Sequence, residues 1–315
     1  MDELKTFIAD YPYPIFIIDG NTHRIHYANN FVESRSKASP VGKRVEKYLQ
    51  LITSPLEKAT YTQFDQAWYT LSEKEIDTTN RQYYLLELEK PTNLPDTATL
   101  DSWKKMIAVM LHRLRSPLTG INGYLDMLED ENENQNLNKR FKSINKGLTH
   151  IYDLMDELEV LYNIQPVQKK EEFTTTNIKE VVDEALLLVD EENRKRISVQ
   201  GSLPDFTLDS LPVVTRRILS LLLTNALEHS SDQNIELTVS EDLGGRITIK
   251  NTLKNGIDQD IRDHVFYPFV TTKANNLGIG LTMALLYARQ LGGTIFFEES
   301  TEEKTVVAQL KFPVA

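Results

Sequence analysis

Two rows of apolar residues between positions 103 and 162, interrupted once, constrain this chain more than any other feature. In the first row Trp103, Ile107, Met110, Leu114, Leu118, Ile121, Leu125 and Leu128 step by three or four. Residues 129–136, Glu-Asp-Glu-Asn-Glu-Asn-Gln-Asn, are polar throughout. Beyond them Leu137, Phe141, Ile144, Leu148, Ile151, Met155, Leu158 and Tyr162 alternate four and three. That spacing belongs to helices carrying a heptad seam. With the polar stretch read as a turn, the two helices form an antiparallel hairpin. Pairing two copies into a four-helix bundle buries both faces of such a hairpin. The expectation is a homodimer.

The flanks follow different patterns. Residues 1–90 read as a small α/β unit: Ile15–Ile18 is a short β-rich run, Asp19-Gly20-Asn21 a turn, and Arg24–Asn29 the return strand of a hairpin. A polar helical stretch follows, then strand candidates around 61–70 and 82–89. Pro91 opens a Pro/Thr/Asn/Asp-rich linker over 91–98, and the hairpin occupies 99–165. From 172 to 315 the pattern is mixed α/β. Helices are expected over 177–189, 211–228 and 279–291, and strands over 235–239, 246–250, 294–298 and 305–311.

Bulk properties remove several function classes. The net charge of -11 disfavours nucleic acid and anionic membrane as main partners. The absence of cysteine excludes disulfides, thiol catalysis, cysteine-ligated zinc and a cysteinyl-flavin photosensor, and fits a reducing compartment. The N-terminus has neither the basic nor the apolar region of a signal peptide, and no run approaches the ~20 apolar residues of a spanning helix. A cytoplasmic protein is expected.

Chemistry concentrates in two places. In His112-Arg113-Leu114-Arg115-Ser116-Pro117-Leu118, a proline within the first helix removes a hydrogen bond to Arg113 and predicts a bend beside His112. His112 lies between seam positions and should face outward, where a neutral imidazole is a competent nucleophile toward phosphorus. A solvated histidine beside an incidental proline is the plain alternative. This stretch resembles the phosphoacceptor box of sensor histidine kinases. Leu222–Ser230 is similar to that family's N box, and Val265–Phe269 with Thr271-Thr272-Lys273 to its F box. Leu277-Gly278-Ile279-Gly280-Leu281 resembles the end of its second glycine box, and Leu291–Ile295 the turn into its final strands. The N-terminal unit resembles a PAS sensory domain through Pro14–Gly20 and Ile25–Asn29.

The resemblance implies a multidomain α+β fold: a PAS-like α/β sensor, a HisKA-type hairpin in a dimeric four-helix bundle, and an α/β-sandwich ATP-binding domain of the HATPase (GHKL) type. It implies ATP and Mg2+ as cofactors and the receiver domain of a response regulator as partner. By resemblance His112 accepts the phosphoryl group, with Arg115 and Ser116 beside it in the catalytic box, Ser116 at the position linked to regulator dephosphorylation. Asn225 holds magnesium through an amide oxygen, a hard ligand suited to that ion. Gly278, Gly280 and Leu281 present backbone amides to phosphate at a helix start. Lys273 offers a cation, or is a solvated loop lysine. Phe266 and Phe269 are expected to be core anchors of the lid. A small PAS ligand remains open; His23 and His26 are better read as surface residues than as haem ligands.

Three departures from the family pattern bear on activity. Arg113 stands where an acid usually follows the phosphoacceptor, and it offers no proton acceptor. With the hairpin turning near 133, residue 112 is level with about 154, so Asp153 or Asp156 on the second helix is a candidate substitute. Asn251 occupies the place of the adenine-binding aspartate, followed by Gly256 alone of the usual glycines. Glu228 replaces a common basic residue, and Asn276 replaces a glycine ahead of a short lid. Three functions therefore compete: an ATP-dependent protein-histidine kinase, a dimeric scaffold that keeps the kinase fold, and a phosphatase acting on a regulator.

Overall fold

The computed structural model describes residues 2–312 except 50, 54–59, 66, 79–80, 92–94, 96, 131–134, 165–172, 202, 232–233, 242–244, 254–255, 274–275 and 301–302. The first elements are α1 (Asp2–Ile8), β1 (Ile15–Asp19), β2 (Ile25–Ala28) and α2 (Asn30–Arg35). After a 3-10 turn at Val45–Lys47 come β3 (Ile52–Thr53), β4 (Thr60–Phe64), β5 (Ala67–Thr78) and β6 (Arg81–Glu89). The six strands form one antiparallel sheet in the order β2-β1-β6-β5-β4-β3. The stretch expected as one strand over 61–70 is two, because Asp65 takes φ 48° and turns the chain between β4 and β5. Helix α1 was not legible in the sequence.

Asn29 fixes the entry to α2. It is fully buried, its Oδ1 accepts from the Ile15 and Val32 amides, and its Nδ2 donates to the Tyr11 and Tyr13 carbonyls at 3.2 and 2.8 Å. One side chain thus caps a helix and holds the segment leading into β1. Asp19 orders the hairpin turn similarly, accepting from the Asn21 and Thr22 amides and the Thr22 hydroxyl.

The hairpin consists of α3 (Thr97–Asp130) and α4 (Gln135–Asn163), so the polar stretch belongs partly to both helices; its centre, 131–134, lies outside the described residues. Helix α3 runs through Pro117 without a break in its assignment. The seam divides in two. Leu111, Leu118 and Leu125 bury against Leu148, Met155 and Leu158, whereas Met110, Leu114, Ile121, Leu128, Ile144 and Ile151 stay exposed on the single chain. The heptad pattern therefore encodes more apolar surface than two helices cover.

The C-terminal unit comprises β7 (Thr174–Asn177), α5 (Ile178–Leu187), α6 (Glu191–Arg194), β8 (Ile197–Val199), β9 (Thr207–Ser210) and α7 (Pro212–His229). It continues with β10 (Ile235–Ser240), β11 (Arg246–Thr252), α8 (Gln259–Arg262), α9 (Gly280–Gln290), β12 (Thr294–Ser300) and β13 (Thr305–Lys311). The main sheet has the order β12-β13-β11-β10-β8, antiparallel except for the β10–β8 pair. Alternate strand residues such as Leu237, Ile247, Ile249 and Ile295 pack beneath α5, α7 and α9 in one core. The opposite face of β12 is also covered: Tyr61 of β4 stacks on Phe296 with ring centroids 4.2 Å apart. Burial beside Phe296, with the Glu298 carboxylate nearby, pushes the Tyr61 phenol up to about 12. No described helix is long and apolar enough to cross a membrane.

Candidate active site

A cavity of about 1430 Å³ lies where α7, the end of β11, the segment 256–261 and the start of α9 converge. Helix α4 supplies the remaining wall through His150, Asp153, Asp156 and Glu157. The cavity is thus shared between the hairpin and the C-terminal sheet. Leu158 and Leu161 of α4 pack in one apolar cluster with Ile279, Met283 and Leu286 of α9.

Helix α7 begins with Pro212 in its first turn, where a missing amide hydrogen costs nothing. Its Ile218, Leu219, Leu222, Leu223 and Ala226 are buried, which turns Thr224, Asn225 and Glu228 toward the cavity. Asn225 is half-buried, and its side chain makes no hydrogen bond or ion pair among the described residues. Its amide oxygen is available to a hard cation. Glu228 is engaged: Oε2 lies 2.8 Å from Lys273 Nζ and accepts from Asn276 Nδ2 at 3.2 Å. This bridge ties both flanks of the 273–276 segment to the end of α7. Burial, with Lys273 nearby, depresses the neighbouring His229 below its ordinary value, while Glu228 opposes the shift.

The two glycines have different surroundings. Gly278 takes φ +66°, and a Cβ there would lie 2.6 Å from the Val270 carbonyl oxygen. Only glycine fits this close backbone approach. Its carbonyl accepts from the Phe269 amide at 3.1 Å. Gly280, first residue of α9, has nothing within 4 Å of a notional Cβ. No side chain caps that helix start, so its first amides and dipole are offered to the cavity, as an anion requires. Leu281 and Gly280 both line it. Gly280 leaves open a cradle that a larger residue would fill, and the site therefore fits a phosphate chain with a cation held from Asn225.

Asn251 ends the inward-facing series Ile247, Ile249, Asn251 on β11. It is 4% exposed, lines the cavity, and its Nδ2 has no hydrogen-bond partner among the described residues. Such a buried donor costs about 1–3 kcal/mol when unsatisfied, which points to a ligand group.

On α3, His112 is exposed, as expected, Ser116 is exposed as well, and the His112 side chain makes no hydrogen bond or ion pair among the described residues. Arg115 reaches across the hairpin to Glu159, Nη2 to Oε2 2.6 Å. Asp153 and Asp156 face the cavity rather than pairing with His112. Phe266 is a core residue, but Phe269 is 43% exposed and takes φ 70°, which corrects the expectation that both anchor the lid. The sequence reading also missed Arg262 and Glu299. Glu299, on β12, accepts from the Ile257 amide at 2.9 Å and pairs with Arg262 Nη2 at 2.6 Å, fixing the 256–262 wall. Both are ordinary surface residue types, and no spacing joins them.

Comparison with known proteins gives two family matches. Residues 211–315 match the profile of the histidine kinase-, DNA gyrase B- and HSP90-like ATPases, and 102–166 that of the His Kinase A phospho-acceptor domain. The chain belongs to the sensor histidine kinases. Among curated relatives, this family member is 27% identical over 247 residues to sporulation kinase D of Bacillus subtilis, covering 74% of this chain and 46% of that one. It is 28% identical over 218 residues to the C4-dicarboxylate transport sensor protein DctB of Rhizobium meliloti, covering 66% and 34%. The chain thus spans less than half the length of these two relatives. Among solved structures, full-length ShkA in complex with AMPPNP aligns with TM-score 0.47 and 20% identity, over 67% of this chain and 46% of that one.

Proposed function

We propose that the protein is an ATP-dependent histidine kinase that phosphorylates His112 and passes the phosphoryl group to an aspartate on a response-regulator receiver domain. One observation carries this reading: the cavity holding Asn225, Asn251 and Gly280 is walled by α4 of the hairpin whose other helix bears the exposed His112. In this reading Asn225 would hold Mg2+ through its amide oxygen, and the bound ion would supply charge neutralisation for phosphoryl transfer. Gly278 shapes the loop, and the amides of Gly280 and Leu281 receive the phosphates. Lys273, held by Glu228, is the nearby cation. His112 acts as a neutral imidazole nucleophile, and catalysis is chiefly positioning. Asp153 or Asp156 takes over the role of the missing neighbouring acid; replacing both without loss of phosphotransfer removes that assignment. Arg115 orients the hairpin through Glu159, and Ser116 lies where a receiver would dock for dephosphorylation.

Two copies pair through the exposed apolar row of α3 and α4, giving a cytoplasmic homodimer. The sheet over 15–89 serves as the PAS-like sensory domain. A cavity of about 360 Å³ beside Lys37, Lys47 and Tyr48 suits a small PAS ligand, and an upstream sensor protein is the other source of signal. The test is incubation with γ-labelled ATP and magnesium beside a His112→Gln control: acid-labile label absent from the control supports the kinase. One observation favours a second reading, a scaffold or phosphatase without autophosphorylation: Arg113 follows His112, and no described acid pairs with that histidine. Nucleotide binding without label selects it.

A further inference from the structure

The strand series Ile247, Ile249, Asn251 places an amide where the next core residue of β11 would sit, and turns it into the cavity. The side chain is 4% exposed, and its Nδ2 has no acceptor among the described residues. A carboxylate at this position can only accept, so it takes the 6-amino group of adenine and repels the carbonyl oxygen of a 6-oxopurine. An amide carries a donor and an acceptor side by side, and a half-turn about its terminal bond exchanges them. In one setting Oδ1 accepts from the adenine amino group while Nδ2 donates to ring N1. In the other, Nδ2 donates to the O6 of guanine or hypoxanthine while Oδ1 accepts from N1–H. Both settings satisfy the orphaned donor, so neither base leaves an unmade hydrogen bond at that edge.

Discrimination between such bases arises when one of them strands a buried polar group. Asn251 removes that penalty for the 6-oxopurines. Inward packing does not restore it, because Ile249 and Ile247 lie further along the strand within the apolar core.

We propose that Asn251 makes the nucleotide site indifferent to the purine 6-substituent, so that guanosine and inosine triphosphates bind alongside ATP. The inference rests on reading the cavity as the nucleotide site. The experiment measures displacement of a fluorescent N-methylanthraniloyl ATP from the full chain, with magnesium, by ATP, GTP and ITP. In the natural protein the three affinities are expected within about tenfold of one another. Asn251→Asp is expected to weaken GTP and ITP relative to ATP by on the order of tenfold or more, with its fold checked by circular dichroism. ATP displacing the probe while GTP and ITP do not, at a hundredfold excess over the ATP midpoint, overturns the inference and leaves the nucleotide site standing. A folded Asn251→Asp protein with an unchanged ratio also overturns it. Failure of the probe to bind overturns both the site and the inference. The ratio in the natural protein needs no variant, so a misfolded substitution does not remove the test.

Discussion

Gly278 and Gly280 stand two residues apart, yet their surroundings assign them opposite roles. At Gly278 the backbone is left-handed, with φ +66°, and an added Cβ would meet the Val270 carbonyl oxygen at 2.6 Å and Thr271 Cβ at 2.9 Å. A non-glycine residue in that conformation costs about 1–2 kcal/mol, and overpacking against atoms that cannot rotate away adds about 1–3 kcal/mol. Gly278→Ala is therefore expected to destabilise the C-terminal unit by about 2–5 kcal/mol, or roughly 2–4 °C of melting temperature per kcal/mol. Gly280 lies outside the left-handed region, and a Cβ there meets nothing within 4 Å. Gly280→Ala should leave stability within about 1 kcal/mol of the natural protein, on the favourable side if the helix start gains from alanine. The added methyl instead enters the space before the uncapped amides of α9 and weakens nucleotide binding by about tenfold, near 1.4 kcal/mol. Urea unfolding followed by circular dichroism reads the first effect, and titration with fluorescent ATP reads the second. If Gly280→Ala unfolds as easily as Gly278→Ala, or binds nucleotide unchanged, the assignment of these two glycines is wrong.

Three further outcomes follow from single contacts. Asn29→Ala removes four hydrogen bonds within the N-terminal sheet and should cost that unit about 2–4 kcal/mol, read as a lower urea midpoint. Burial, with Lys273 nearby, holds His229 below its ordinary value, so the unfolded chain binds this proton more readily. Its contribution to stability is full above the ordinary value and is lost as pH falls from there through the lower folded-state value. The natural protein should therefore lose more stability than His229→Gln between about pH 7.5 and about pH 5.5, and an equal loss in both would remove His229 from the account. Tyr61→Ala takes away the ring stacked on Phe296 and should speed proteolytic cleavage in the 91–98 segment, with an unchanged rate counting against that contact in solution.

Much of this architecture was legible in the sequence because it rests on periodicity. The rows from Trp103 to Leu128 and from Leu137 to Tyr162 announced two helices, and Gly292-Gly293 announced the turn into the last strands. What was missed depends on tertiary packing. Asp65 splits an expected strand because its positive φ makes a turn that β-propensity alone does not reveal. Phe269 looked like a core anchor, but the chain needs its backbone amide at Gly278, and the ring is left facing outward. The cavity residues Asn225, Asn251 and Gly280 came from motif resemblance, and the fold brings them together. The α4 wall, with Asp153 and Glu157, and the Arg262–Glu299 pair are set by how the hairpin and loops pack. The pair leaves no local signal, because each residue looks like any solvated charge, and the hairpin register offered Asp153 only as a partner for His112, not as part of the cavity wall.

In the proposed reaction His112 receives the γ-phosphoryl group of the nucleotide bound in this cavity. Its most direct measurement is localisation of the phosphoryl group by mass spectrometry under non-acidic conditions, after incubation with ATP and magnesium. An acid-labile phosphate is expected on the peptide containing His112, absent when Asn225 is replaced by alanine. Protein that demonstrably binds ATP but carries no phosphate on His112 would contradict it.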